Sequence, residues 1–209
     1  MGEPKRPLPS TIQDAMSFED MHTLGGKYIG EGGTGAVFLL NDIAIKVAYD
    51  QDYCVKIQHE KNVYERLGNF SSLNVEFPTF RLRHNCFPGS ARWARAVAEI
   101  HERRVLVADT SARNSLVDKE LSVKACDFSE SSILDINCNV QTADDCGYTV
   151  YTDIGQLGAV FYEVITGNKC SFDLYKHHPH AKIAVFPRRE DLTSTQNLWL
   201  GPIIEKMLD

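Results

Sequence analysis

Three glycines in G-x-G-x-x-G spacing, Gly30, Gly32 and Gly35, run straight into an alternating apolar segment, Ala36-Val-Phe-Leu-Leu40. That adjacency constrains the fold more than any other feature of the chain. A dinucleotide-binding fingerprint leads from its glycines into a helix, so a strand in that place argues against one. Asn41-Asp42 then separates Ala36–Leu40 from a second apolar run, Ile43-Ala-Ile-Lys-Val47. Both turn residues tolerate positive φ, and the spacing predicts a two-residue β-hairpin. Two readings of the glycines stay open at this point. They are a flexible hairpin tip, or a loop whose backbone N–H groups approach phosphate oxygens without Cβ interference.

The next signals concern two charged residues. Lys46 shares strand parity with Ala44, while Ile43, Ile45 and Val47 take the other face, so Lys46 is expected to point beneath the glycine loop. A solvent-facing lysine is the bland alternative. A helix is expected over 52–67, because Tyr53, Ile57, Tyr64 and Leu67 recur on one face. Glu60 falls in the middle of that face, where a carboxylate is costly to bury unless paired, and Lys46 is the obvious partner. Further helices are expected over 91–103, with Trp93, Val97 and Ile100 inward, and over 153–166, apolar nearly all round and closed by Gly167. Short strands are expected at 115–117 and 123–126. Strands first and helices afterwards suggest an α+β chain with two lobes.

Composition bounds the function classes. With 43% hydrophobic and 24% charged residues, the chain is an ordinary globular one and not a disordered one. A net charge of −6 gives no global reason to bind nucleic acid or anionic lipid. No apolar stretch is long enough to span a bilayer, so no membrane partner is expected. Six cysteines without a C-x-x-C pair indicate free thiols, with neither zinc site nor redox dithiol. The Pro-rich opening MGEPKRPLPS lacks a signal-peptide pattern and begins a flexible leader taken as 1–22, with one domain over 23–209. A cytoplasmic monomer is expected, with the nucleus left open. Lys176-His-His-Pro-His180 reads as a solvated loop in preference to a metal tract, and Trp93 and Trp199 as core anchors.

The segment Val105-Leu-Val-Ala-Asp-Thr-Ser-Ala-Arg-Asn-Ser-Leu-Val117 has Asp109 and Asn114 in D-x-x-x-x-N spacing before a short apolar strand. Ala125-Cys-Asp-Phe-Ser129 follows, and then Asp153-Ile-Gly-Gln-Leu-Gly158 opens the apolar helix. Together with the glycine loop, the Ile43-Ala-Ile-Lys46 strand and Glu60, this order resembles the protein kinase family, in particular divergent kinase-like proteins of fungi. The resemblance runs from Tyr28 to the end of the chain. It implies a bilobal kinase-like fold, with a small β-rich N-lobe and a helical C-lobe. It also implies ATP and Mg²⁺ as cofactors and a protein hydroxyl, Ser or Thr ahead of Tyr, as acceptor. Asp109 would be the base, Lys46 the phosphate lysine held by Glu60, and Asn114 and Asp127 the metal ligands. Gly30, Glu31, Gly32, Gly33, Thr34, Gly35, Val37, Ala44 and Arg113 would contact the nucleotide. The Asp153 carboxylate would brace the catalytic loop through backbone N–H groups.

The sequence also departs from that family. Val107-Ala108 stands where His-Arg usually precedes the aspartate, Ser129 replaces the glycine after Asp-Phe, and no A-P-E follows. Ser111 stands where Ser/Thr kinases carry a phosphate-binding lysine, and Arg113 where tyrosine kinases carry an arginine. The segment from Gly68 to Ser90 is too short for two strands, a hinge and a helix, so the hinge is shortened or rebuilt. Two alternatives to a transferase follow: an ATP-binding module without transfer, and a truncated, inactive relative.

Overall fold

The computed structural model describes residues 17–68, 90–117, 123–177 and 183–209. Among them are five α-helices and three small antiparallel sheets, the α+β mixture expected. The chain divides into two compact units, one ending at Asn62 and the other starting at Val63.

In the first unit, β1 (Lys27–Glu31), β2 (Gly35–Leu40) and β3 (Ile43–Ala48) form one antiparallel meander. Asn41 and Asp42 take φ of 49° and 65°, the positive pair a tight hairpin needs. Pairing Ala36 with Val47 and Phe38 with Ile45 gathers those side chains on one face. Helix α1 (Phe18–Thr23) covers that face with Met21, which is fully buried, and with Phe18, whose ring stands edge-on to Phe38 at 5.6 Å. This corrects the leader expected over 1–22, of which residues 1–16 lie outside the described residues. Ser17 and Asp20 close a capping box, so the chain is helical from Phe18. Ile43 is half exposed at the start of its strand.

Helix α2 (Gln51–Leu67) matches its expected span within a residue. Its last turns belong to the second unit. There Val63 and Leu67 pack with Ala96, Ile100, Val105, Val107, Ala125 and Phe128. Helix α3 (Ser90–Glu102) buries the expected Trp93, Val97 and Ile100. Strand β4 (Val105–Leu106) pairs with β7 (Ser132–Ile133), and β5 (Ser115–Val117) pairs with β6 (Val123–Ala125). Helix α4 (Val150–Thr166) starts three residues before the expected position, because the Thr149 hydroxyl caps Thr152 N–H. It ends where Gly167 takes φ 71°, a left-handed cap. Helix α5 (Gly201–Leu208) packs on α4 through Ile204 and Leu208.

Trp93 is a core anchor, but Trp199 is 69% exposed, contrary to expectation. The shortened segment falls outside the described residues over 69–89, as does His178-Pro-His180. No helix among the described residues is long and apolar enough to cross a membrane. The five described cysteines are free thiols.

Candidate functional site

The first unit builds a charged pair on the sheet face opposite α1. Val37 pairs in register with Lys46, and Leu39 with Ala44, so Val37, Ala44 and Lys46 share that face. The Lys46 Nζ donates to Glu60 Oε2 at 2.9 Å, and Glu60 is only 6% exposed. Glu60 is buried and Lys46 partly so, and the cost of taking charge out of water offsets their attraction, so a pair like this is weak evidence of stabilisation.

The glycines of the segment joining β1 and β2 divide by what surrounds them. A Cβ on Gly35 would lie 2.2 Å from the Val47 carbonyl oxygen, so strand pairing alone requires that glycine. Gly30 and Gly33 have nothing within 4 Å of an added Cβ, and neither holds a positive φ. Gly30 lies at the irregularity where the β1–β2 register shifts, whereas neither packing nor a positive φ requires Gly33. Thr34 beside them is buried, and its hydroxyl has no hydrogen-bond partner. Glu31 is exposed and accepts a long bond from the Tyr49 hydroxyl at 3.4 Å. Gly32 donates its N–H to the Gly35 carbonyl and closes the loop.

The second unit builds around an irregular stretch between β4 and β5. Val107 and Ala108 are buried, so every polar backbone group there needs a partner. The N–H groups of Val107 and Ala108 donate to the two carboxylate oxygens of Asp153, each at 2.8 Å. The Val107 carbonyl accepts from the Ser131 hydroxyl and from Asp109 N–H. The Ala108 carbonyl accepts from Gln156 Nε2 at 2.8 Å, and Thr110 N–H donates to Gln156 Oε1 at 3.2 Å. The Asp109 carbonyl accepts from Asn114 Nδ2 at 3.1 Å. Asp153 is fully buried and also meets His101 Nε2 at 2.8 Å. These bonds hold Ala108 at φ 64°, a conformation costing an alanine about 1–2 kcal/mol.

Asp109 projects from this frame. Arg113 Nη2 donates to both of its carboxylate oxygens at 2.7 Å, and Asn114 Nδ2 donates to Oδ2 at 2.9 Å. Arg113, expected on the nucleotide, is thus paired with Asp109 in this structure. The Asn114 amide nitrogen is turned to Asp109, so Oδ1 is the atom it could offer a metal. Cys126 N–H donates to the Asn114 carbonyl, so the antiparallel β5–β6 pair brings Asn114 and Asp127 to its same end. Asp127 holds φ 60°, a second strained non-glycine beside the site. Phe128 behind it is fully buried, with its ring perpendicular to Tyr64 at 5.2 Å. Ser129 keeps an ordinary negative φ, so the missing glycine causes no strain here.

Among the described residues, no group of three His, Cys, Asp or Glu side chains could hold a metal. One carboxylate and one amide oxygen still suit Mg²⁺, which keeps several waters and takes further ligands from substrate phosphates. The donor set of Asn114 and Asp127 fits that ion and no dedicated protein cage.

A cleft of about 660 Å³ opens beside Asp109, with Arg113, Tyr148, Gln156, Lys169 and Tyr175 in its lining. The Tyr148 and Tyr175 hydroxyls share a 2.8 Å bond, and burial together with that bond holds the Tyr148 phenol well above its ordinary value. Burial likewise pushes the Cys170 thiol up.

The expected residues thus fall into two constellations, Lys46 with Glu60 and the glycine loop in one unit, and Asp109, Arg113, Asn114 and Asp127 in the other. Gln156 and Ser131 were not singled out from the sequence. A polar residue three positions after Asp153 in an apolar helix was the available signal for Gln156, since i and i+3 share a face. Ser131 gave none. Compared with known protein families and with curated proteins, the chain matches no family model and no curated sequence.

Proposed function

We propose that this chain is a Mg²⁺- and ATP-dependent protein kinase acting on a protein Ser or Thr hydroxyl, with the two units as its β-rich and helical lobes. The observation that carries the reading is the Lys46–Glu60 pair, with Glu60 buried, in the same unit as a glycine loop in which packing does not require Gly33. A buried ion pair contributes little net stability, and holding a lysine against phosphates gives it a use. Mg²⁺-bound ATP would supply the phosphoryl group and neutralise its charge. Lys46 orients the phosphates, and Glu60 keeps the lysine in place. The N–H groups near Gly30 and Gly33 cover the phosphates. Asn114 Oδ1 and the Asp127 carboxylate would hold the metal. Asp109, whose own N–H and carbonyl are both paired, accepts the acceptor hydroxyl's proton. A cytoplasmic monomer is part of the same proposal.

The test is a thermal-shift titration with ATP, with and without Mg²⁺, followed by transfer assays. Wild type should show a Mg²⁺-dependent shift that Lys46→Ala loses. Asp109→Asn should keep the shift while transfer falls on the order of 10²–10⁴-fold. Equal ATP affinity in wild type and Lys46→Ala would remove Lys46 from the site. The bidentate Arg113–Asp109 contact favours a second reading, an ATP-binding module without transfer, because a guanidinium then occupies both oxygens that a substrate hydroxyl would approach. A metal-dependent shift with no transfer by wild type would select it.

A further inference from the structure

We infer that Gln156 is the positioning residue for Asp109, fixing the backbone on both sides of it from helix α4. The inference rests on the reading of Asp109 as the base. One amide spans the residue: Nε2 donates to the carbonyl before it, at Ala108, and Oε1 accepts from the N–H after it, at Thr110. Asp153, one turn earlier on α4, holds the preceding N–H groups of Val107 and Ala108. Helix α4 is therefore a template for four backbone groups between Val107 and Thr110, and of its bonds only one from Gln156 reaches past Asp109. The template needs both a donor and an acceptor at position 156, at a fixed separation, and among uncharged side chains of that length glutamine supplies both.

The residue lines the cleft beside Asp109, so its amide sits where an acceptor segment would enter. Val107 and Ala108 have no side-chain donor through which a charged group on the following segment could order this loop. The order comes from uncharged contacts and from Asp153 on α4, with Ser131 and Asn114 adding bonds, and the loop needs no added phosphate to take its shape. That makes the arrangement of Asp109 a built-in property of the fold.

The full chain tests this with two substitutions of similar length. Gln156→Met removes both bonds, and Gln156→Glu keeps an acceptor for Thr110 N–H while removing the donor to Ala108. Amide exchange gives a readout independent of any activity. Thr110 N–H should exchange at least tenfold faster in Gln156→Met and near the wild-type rate in Gln156→Glu, while Val107 and Ala108 N–H stay protected in both. In transfer assays both variants should lose kcat, on the order of tenfold or more, with the KM for ATP unchanged. Wild-type protection of Thr110 in Gln156→Met would overturn the brace. Lost protection with full kcat would overturn its role in placing Asp109. A wild-type chain that transfers nothing would sink the kinase reading and, with it, the role assigned to Gln156 at a base. The exchange rates would then report only whether Gln156 holds the loop.

Discussion

Asp153 is fully buried and accepts the N–H groups of Val107 and Ala108 at 2.8 Å each. Replacing it with alanine leaves both donors without a partner in a site that water does not reach. Each bond to a charged acceptor contributes about 1.5–3 kcal/mol, so Asp153→Ala should cost roughly 3–6 kcal/mol. Asparagine has nearly the same shape but keeps only one acceptor oxygen, and its amide nitrogen faces a donor. Asp153→Asn should therefore lose at least half as much. In a domain this size, about 2–4 °C of Tm accompanies each kcal/mol, which predicts a fall of about 6–24 °C for the alanine variant. Urea unfolding followed by tryptophan fluorescence gives the free energies, and amide exchange at 107 and 108 localises the loss. The slope against urea should not change, because the surface exposed on unfolding is nearly the same. A loss below about 1 kcal/mol in Asp153→Ala would mean that these bonds do not hold the loop.

Three further outcomes follow from the same geometry. Gly35→Ala places a Cβ against the Val47 carbonyl and should destabilise the first sheet by about 1–3 kcal/mol, whereas Gly33→Ala enters open space and should leave stability within about 0.5 kcal/mol while weakening ATP binding; paired thermal melts and ATP titrations check both. Ser131 is 5% exposed and donates to the Val107 carbonyl, so Ser131→Ala should cost about 0.5–1.5 kcal/mol in urea unfolding, and treating the folded protein with a Ser/Thr kinase should leave Ser131 unmodified by mass spectrometry. Hydrogen bonds from His177 and then Lys176 hold the Asp191 carboxyl at about 2, below its ordinary value, so its contribution is complete above pH 4 and fades as pH falls through 2. The Tm difference between wild type and Asp191→Asn should shrink across that window; a difference that persists unchanged below it would refute the pairing.

The parts of the fold set by local rules were legible in the sequence. Asn41-Asp42 announced the hairpin because few residues accept two positive φ values in succession. Lys46 and Glu60 could be paired before any coordinates because strand and helix periodicities each put one of them on an inward face. Boundaries failed where a side chain acted at an element's edge. Ser17 and Thr149 start helices that apolar spacing alone places later or omits. Trp199 failed differently: its bulk suggested an anchor, but burial depends on what meets a residue across the fold, and sequence spacing does not encode that. The same reason hid Ser131 and the pairing of Arg113 with Asp109. Their partners lie in an irregular stretch, where no repeating pattern reports which way a side chain turns.

The loop from Val107 to Thr110 is supported by polar side chains that lie outside it, namely Asp153, Gln156, Ser131 and Asn114. Within it, Val107 and Ala108 contribute main-chain groups and compact apolar side chains. Mutational tolerance should follow that division of labour. A saturation library should accept other small or β-branched apolar residues at 107 and accept glycine at 108, where the left-handed backbone suits it. The four supporting positions should be less tolerant, Asp153 most of all. A relative of this chain could then differ at the loop's own letters and still keep its shape. Its kinship would be recognisable from an aspartate and a glutamine three residues apart in an apolar helix, placed some forty-five residues downstream of the loop they hold.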